Sequence, residues 1–214
     1  LKLGFDPKEK QPDFLIINGA ECEPYITSDY RCFMEEGEDV LEGVLLMLKY
    51  LGIPKCIIGI EKNKPKAIEK MTRLCEKHDN ITVKPLKSSY PQGAEKTLIF
   101  STTGRVVKEG TLPLTSGCIV VNSSTAAFIA QYIRTGMPLA KRRITVDGNI
   151  VKKPSNFIVP VGMSIGEIVY YAELSDKPDR IILGGPMMGA CAFDPDYPLS
   201  KTNNAVLMFA DSPV

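Results

Sequence analysis

The chain has 214 residues and sets 26 Lys and Arg against 25 Asp and Glu, for a formal net charge of +1. Near-neutrality excludes a whole-chain field that would attract nucleic acid or an anionic membrane, so partners must be recognised locally. The composition, 44% hydrophobic and 24% charged, is that of an ordinary globular protein, and no apolar stretch approaches the ~20 residues that a membrane-spanning helix needs.

In chain order, four short apolar runs lack polar alternation and read as strands buried on both faces: "FLII" (14–17), "CIIGI" (56–60), "ITVKPL" (81–86) and "CIVV" (118–121). Each precedes a helical candidate: 38–52 with a stop at Gly52, 64–78 with Pro65 in its first turn, 94–102, and 125–136 ending at Gly136. This alternation predicts a Rossmann-like α/β domain with a parallel sheet, whose ligands gather at the carboxyl ends of the strands. After Pro138 the pattern changes to two β-rich halves around Asp147-Gly148-Asn149, a strand at 155–161 and a short helix at 164–172. Ser164 and Glu167 have capping-box spacing, and strands are expected at "RIILGG" (180–185) and "AVLMF" (205–209). The second half thus resembles a small α+β β-grasp module. The expected division is 1–138 for the α/β domain, 139–195 for the β-grasp domain and 196–214 for the start of a connection. The start at Leu1 and the end at "ADSPV" straight after an apolar run read like a piece of a longer protein.

Six cysteines, at 22, 32, 56, 75, 118 and 191, include no C-x-x-C pair and read as reduced thiols. The single histidine, His78, excludes His-based triads and most zinc sites. The chemistry therefore falls to three strand-to-helix junctions. The first, from Asn18 to about Gly37, reads as a long loop in which Asn18 both donates and accepts while Glu21 and Glu23 accept from ring N–H or ribose hydroxyl groups. The third, "SSYPQGAEK", offers Tyr90 to cover a flat ring, Gly93 for close backbone approach and Glu95 at a helix start. The fourth, "VNSSTAA", places Asn122, Ser123, Ser124 and Thr125 at a helix N-terminus, where a phosphate can bind. Singly these are solvated glutamates, a turn and ordinary N-caps. Together, at one edge of one sheet, they point to a nucleotide-type ligand.

The segments "INGAECEPYIT", "YPQGAEKTLI", "VNSSTAA" and "LGGPMMG" resemble the C subunit of Rnf-type electron-transport complexes over essentially the whole chain. That family is similar to the flavin-bearing, NADH-oxidising subunit of respiratory complex I. The resemblance implies FMN and NADH as cofactors, and a β-grasp module of the soluble-ligand-binding type. It implies that Asn18, Glu21, Cys22 and Glu23 contact the flavin ring and the nicotinamide nucleotide. Tyr90, Gly93 and Glu95 would stand beside the flavin and the NADH site, Asn122 and Thr125 near the ribityl phosphate, and Lys2 would supply positive charge. Ala20 and Ala94 stand where the complex I relative carries Asp and Glu. The family's glycine-rich flavin loop is expected before Leu1, and the cysteines for 4Fe-4S clusters after Val214, because this chain cannot hold such clusters itself. Expected partners are NADH and other subunits of a membrane electron-transport complex, without nucleic acid or direct membrane insertion. The expected location is cytoplasmic, peripheral on the inner face of the cell membrane, and the fragment alone is expected to be inactive. Two rival readings are a non-catalytic interaction or ligand-binding module and a Cys22-dependent redox enzyme, the latter lacking a resolving cysteine nearby in sequence.

Overall fold

A computed structural model describes residues 11–210, which divide into two units. The first holds residues up to Cys22 and Asp29–Gly136. Its elements are β1 (Phe14–Gly19), α1 (Ser28–Leu51), β2 (Lys55–Glu61), α2 (Pro65–Cys75), β3 (Ile81–Leu86), α3 (Glu95–Thr103), a 3-10 turn (Pro113–Ser116), β4 (Cys118–Asn122) and α4 (Ser123–Thr135). The four strands are parallel in the order β3-β2-β1-β4. Successive side chains of β1 point to opposite faces. Leu15 and Ile17 enter a core with Phe33, Val40 and Val44 of α1, Met71 of α2 and Ala126 of α4. Ile16 enters a second core with Leu98 and Ile99 of α3. Covering on both faces is why β1 is apolar at every one of these positions.

The first junction differs from the sequence reading. α1 begins at Ser28 rather than at 38, and Glu36, with φ −123° and ψ 25°, marks a kink where two helical stretches meet. The apolar periodicity of 38–52 is strong, whereas the preceding turns carry a polar run, "SDYR", and Gly37 interrupts the pattern. The long loop from Asn18 to Gly37 is therefore a short one followed by helix. Later in α1, Gly43 lets α4 approach closely, because a Cβ there would stand 2.7 Å from the Ala126 carbonyl carbon.

The second unit holds Glu23–Ser28 and the residues from Met137 onward. It comprises β5 (Lys141–Asp147), β6 (Ser155–Pro160), α5 (Ile165–Tyr171), β7 (Arg180–Leu183), β8 (Ala190–Ala192) and β9 (Ala205–Phe209). The strand order is β6-β5-β9-β7-β8, with β9 parallel to β5 and the other pairings antiparallel. A hairpin, a helix and a last strand returning between the first and third strands give the β-grasp arrangement, so the fold class is as the sequence predicts. Ser164 and Glu167 form the expected capping box on α5.

Three boundaries change. The end of the module at residue 195 is too early, because β9, assigned above to a connection, is the central strand and is buried along its whole length. Residues 23–28 belong to this unit rather than to the first: Ile26 packs with Ile182, Ala205, Leu207 and Phe209. The hairpin partner of β5 is β6, not 149–151, with Val146 opposite Ser155. Ile150 and Val151 instead enter the core as a loop, and Asn149 fastens that loop to Ala210 by donating to its carbonyl (2.7 Å) and accepting from its N–H (3.1 Å). Among the described residues no helix is long and apolar enough to cross a membrane.

Candidate functional site

In parallel sheets the carboxyl strand ends carry the loops that meet ligands. Here the ends of β1 and β4 place Asn18 and Asn122 opposite each other in register. Each side-chain amide is held from both sides. Asn18 Oδ1 accepts from the Ala20 N–H at 3.1 Å, and its Nδ2 donates to the Gly93 carbonyl at 2.9 Å. Asn122 caps α4 by accepting from the Ser124 N–H at 2.9 Å, and its Nδ2 donates to Asp29 Oδ2 at 2.9 Å. These contacts fix which way each amide faces, and each leaves the second amide hydrogen outside them. Two oriented donors thus stand side by side, suited to a ligand edge made of acceptors.

Gly93 brings the third junction against the first. A Cβ at this position would lie 2.6 Å from the Ala20 carbonyl oxygen and 3.3 Å from Cys22 Sγ, so a side chain would push the two loops apart. Tyr90 precedes it, largely exposed, through a cis bond to Pro91. Glu95 is the first residue of α3 and half-buried, and Thr125 is exposed on the first turn of α4.

The carboxylates are arranged around Glu21. Its Oε1 accepts from the Asp29 N–H at 2.8 Å and its Oε2 from the Tyr30 N–H at 3.3 Å. Burial, and next the charge of Asp29, push the Glu21 carboxyl up to about 7, against the opposing pull of these N–H groups and of Lys64. Glu61, at the end of β2, accepts from the Glu21 N–H and is only 2% exposed. Burial also raises the Glu61 carboxyl, and its Oε2 is buried without a partner. The Lys64 ammonium lies 5.5 Å from the centre of the Tyr30 ring and acts electrostatically on both Glu21 and Glu61. Asp29 closes the network by accepting from Ser123 Oγ at 3.1 Å.

The structure therefore brings Asn18, Glu21, Cys22, Gly93 and Asn122 into one cluster. Tyr90, Glu95 and Thr125 flank it along the chain. Glu23 belongs to the second unit, where its Oε2 accepts from the Met187 N–H at 2.8 Å and its Oε1 is buried without a partner. The "LGGPMMG" turn makes room for it: a Cβ on Gly185 would stand 2.6 Å from Glu23 Cβ. Lys2 lies outside the described residues. Sequence reasoning missed Asp29, Glu61 and Lys64. A charged residue closing the apolar run "KCIIGIE" was a visible signal for Glu61. Asp29 gave none, since an acid in a first helical turn is ordinary.

This unit is an α/β domain with a parallel sheet and a polar cluster of loops at its carboxyl edge, and the comparisons narrow its class. Residues 1–131 match the Nuo51 FMN-binding domain, and the chain belongs to that family. It is 41% identical over 202 residues to the C subunit of the proton-translocating ferredoxin:NAD(+) oxidoreductase complex of Clostridium ljungdahlii, covering 94% of this chain and 44% of that protein. The C subunit of the Na(+)-translocating ferredoxin:NAD(+) oxidoreductase complex of Acetobacterium woodii is 39% identical over 202 residues, with 94% and 46% covered. The C subunit of the ion-translocating oxidoreductase complex of Rhodobacter capsulatus is 38% identical over 195 residues, with 90% and 38% covered. The resemblance to Rnf-type C subunits holds, and the chain spans less than half the length of these relatives. Among solved structures, an NAD+-reducing [NiFe]-hydrogenase in its H2-reduced state shares the fold, with a TM-score of 0.77 at 20% identity over 97% of this chain and 41% of that one.

Proposed function

We propose that the chain is the FMN- and NADH-binding part of an electron-transfer subunit, in which a hydride passes from NADH to FMN and electrons continue to 4Fe-4S clusters elsewhere in the parent protein. The observation that carries this reading is the register pair Asn18 and Asn122, two amides fixed by their surroundings with a donor left on each. The residues present suit FMN. Its ring carbonyls and phosphate are acceptors, Gly93 allows a close backbone approach, and the N-terminus of α4 favours an anion. When bound, FMN supplies the ring that accepts a hydride and releases electrons singly. The chain's own share is to bind, orient and adjust charge. Asn18 and Asn122 meet the ring or ribityl chain, and Tyr90, Glu95 and Thr125 border the nucleotide. Glu21, its carboxyl pushed up to about 7, sets less than a full negative charge beside an anionic cofactor near neutral pH. Cys22 packs the loop.

On this reading residues 1–138 bind the nucleotides, and the second unit acts as a soluble-ligand-binding-type β-grasp module. The protein works with other subunits of an ion-translocating complex, on the cytoplasmic side of the membrane. The test uses the full-length subunit reconstituted with FMN and followed by quenching of flavin fluorescence, then by anaerobic bleaching with NADH. Asn18→Ala and Asn122→Ala are expected to weaken FMN binding on the order of tenfold. A wild-type protein that takes up no flavin would instead support the non-catalytic interaction module, and one that takes up flavin but is not bleached by NADH would remove the NADH half of the reading.

A further inference from the structure

Asn122 is more specialised than its place at a helix start requires. Capping α4 needs only an acceptor, which Ser, Thr or Asp would supply equally well. What an asparagine adds is the donor half of its amide, and one hydrogen of that half goes to Asp29 Oδ2. Both carboxylate oxygens and the backbone N–H of Asp29 enter this network. Its Oδ2 takes the Asn122 amide, its Oδ1 takes the Ser123 hydroxyl, and its N–H goes to Glu21 Oε1. One residue thus touches the loop after β1 and the start of α4 at once. It is not among the residues that sequence or family resemblance singled out.

We infer that Asp29 is a positioning residue of the flavin site: from the first turn of α1 it locks the Asn122 amide and the Glu21 carboxyl into one unit, so that the ends of β1 and β4 meet the ligand as a single preset surface. The inference rests on the reading of this edge as the FMN site. Without Asp29 the Asn122 amide would be held through its oxygen alone, by the Ser124 N–H at 2.9 Å and the Ser124 hydroxyl at 2.6 Å, and the ligand would have to order its donor half on binding. With Asp29 present that ordering is complete before the ligand arrives. Asp29 also governs charge. Its carboxylate opposes ionisation of Glu21, while Lys64 and the N–H groups of Asp29 and Tyr30 favour it, and Glu61 accepts from the Glu21 backbone N–H. Removing the Asp29 charge therefore moves the Glu21 titration downward from about 7.

The bland alternative is that Asp29 serves α1 alone, as an acid in a first turn that suits the helix dipole. The full-length subunit separates the two. Asp29→Asn removes the charge at nearly constant shape. Asp29→Ser keeps a group suited to a helix start but too short to reach both Asn122 and Ser123. Asp39→Asn is the control, since it disturbs contacts to Gln131 and Arg134 on the same helix, away from these groups. In the ligand-free protein, 13C-glutamate NMR is expected to show the Glu21 midpoint falling toward the ordinary carboxylate range in both Asp29 variants and staying put in the control. The FMN dissociation constant is expected to rise on the order of tenfold in the Asp29 variants and to stay unchanged in Asp39→Asn. An unchanged FMN affinity in both folded Asp29 variants overturns the inference. Wild-type protein that takes up no FMN removes the underlying reading instead, and the ligand-free titration still decides whether Asp29 controls Glu21.

Discussion

Asn122 in the first unit and Asn149 in the second use the same amide chemistry to different ends. Asn149 spends both halves on one residue, Ala210, and so becomes a staple between a loop and the end of β9. Asn122 and its register partner Asn18 divide their amides among several elements, and each keeps one N–H outside those contacts. The same contrast appears at helix starts. Ser164 and Glu167 satisfy each other in a closed capping box, whereas Asn122 caps α4 and is itself gripped by Asp29. A polar group that is fully satisfied within its own fold contributes stability. One that is held rigid with capacity to spare is prepared for a ligand.

The largest effect that would sharpen this comparison concerns the limits of the second unit. Leu207 of β9 is fully buried, so Leu207→Ala should destabilise that unit by about 2–5 kcal/mol. Denaturant titration followed through amide signals of 144–172 reads the loss. No change there would put β9 outside the core after all.

A smaller effect separates the carboxylates by pH. The folded Glu21 carboxyl lies at about 7, above its ordinary value of 4.5, so the neutral form is the one favoured by folding. Its contribution to stability is complete below about 4.5 and is lost as pH rises through 7, a change on the order of 1–3 kcal/mol. Thermal unfolding of the first unit should weaken from pH 5 to pH 8, and Glu21→Gln should flatten that slope. A slope that survives Glu21→Gln would assign the proton elsewhere, with Glu61 the next group to replace.

The smallest effect is the most direct comparison. Asn122→Ala and Ser164→Ala each remove a helix cap and should each cost about 1 kcal/mol. Only Asn122→Ala should also weaken FMN binding. Equal flavin affinity in the two variants would reduce Asn122 to a cap and would remove the distinction drawn above.

Much of this molecule is determined locally, by residues close together in the sequence. Continuous apolar runs at 14–17, 56–60 and 118–121 become parallel strands because a sheet covered on both faces tolerates no polar alternation, whereas 81–86, expected to be buried on both faces, is the edge strand and is exposed at Thr82 and Pro85. Gly136 ends α4 in the left-handed conformation, and the spacing of Ser164 and Glu167 closes on α5 because capping chemistry is local. The motif around Asn18, Glu21 and Gly93 was legible too, as an edge where backbone must come close. What the sequence left open depended on contacts distant along the chain. The helical start at Ser28 was hidden because its apolar face is set by the core it covers rather than by its own pattern. The central place of β9 was decided by strand pairing, which a run of five apolar residues cannot announce. Glu23 and Glu21 are two residues apart, yet one is held by Met187 and the other by Asp29. Asp29 itself, an ordinary acid at a helix start by every local criterion, joins this polar cluster only because folding carries residues 122 and 123 to its side.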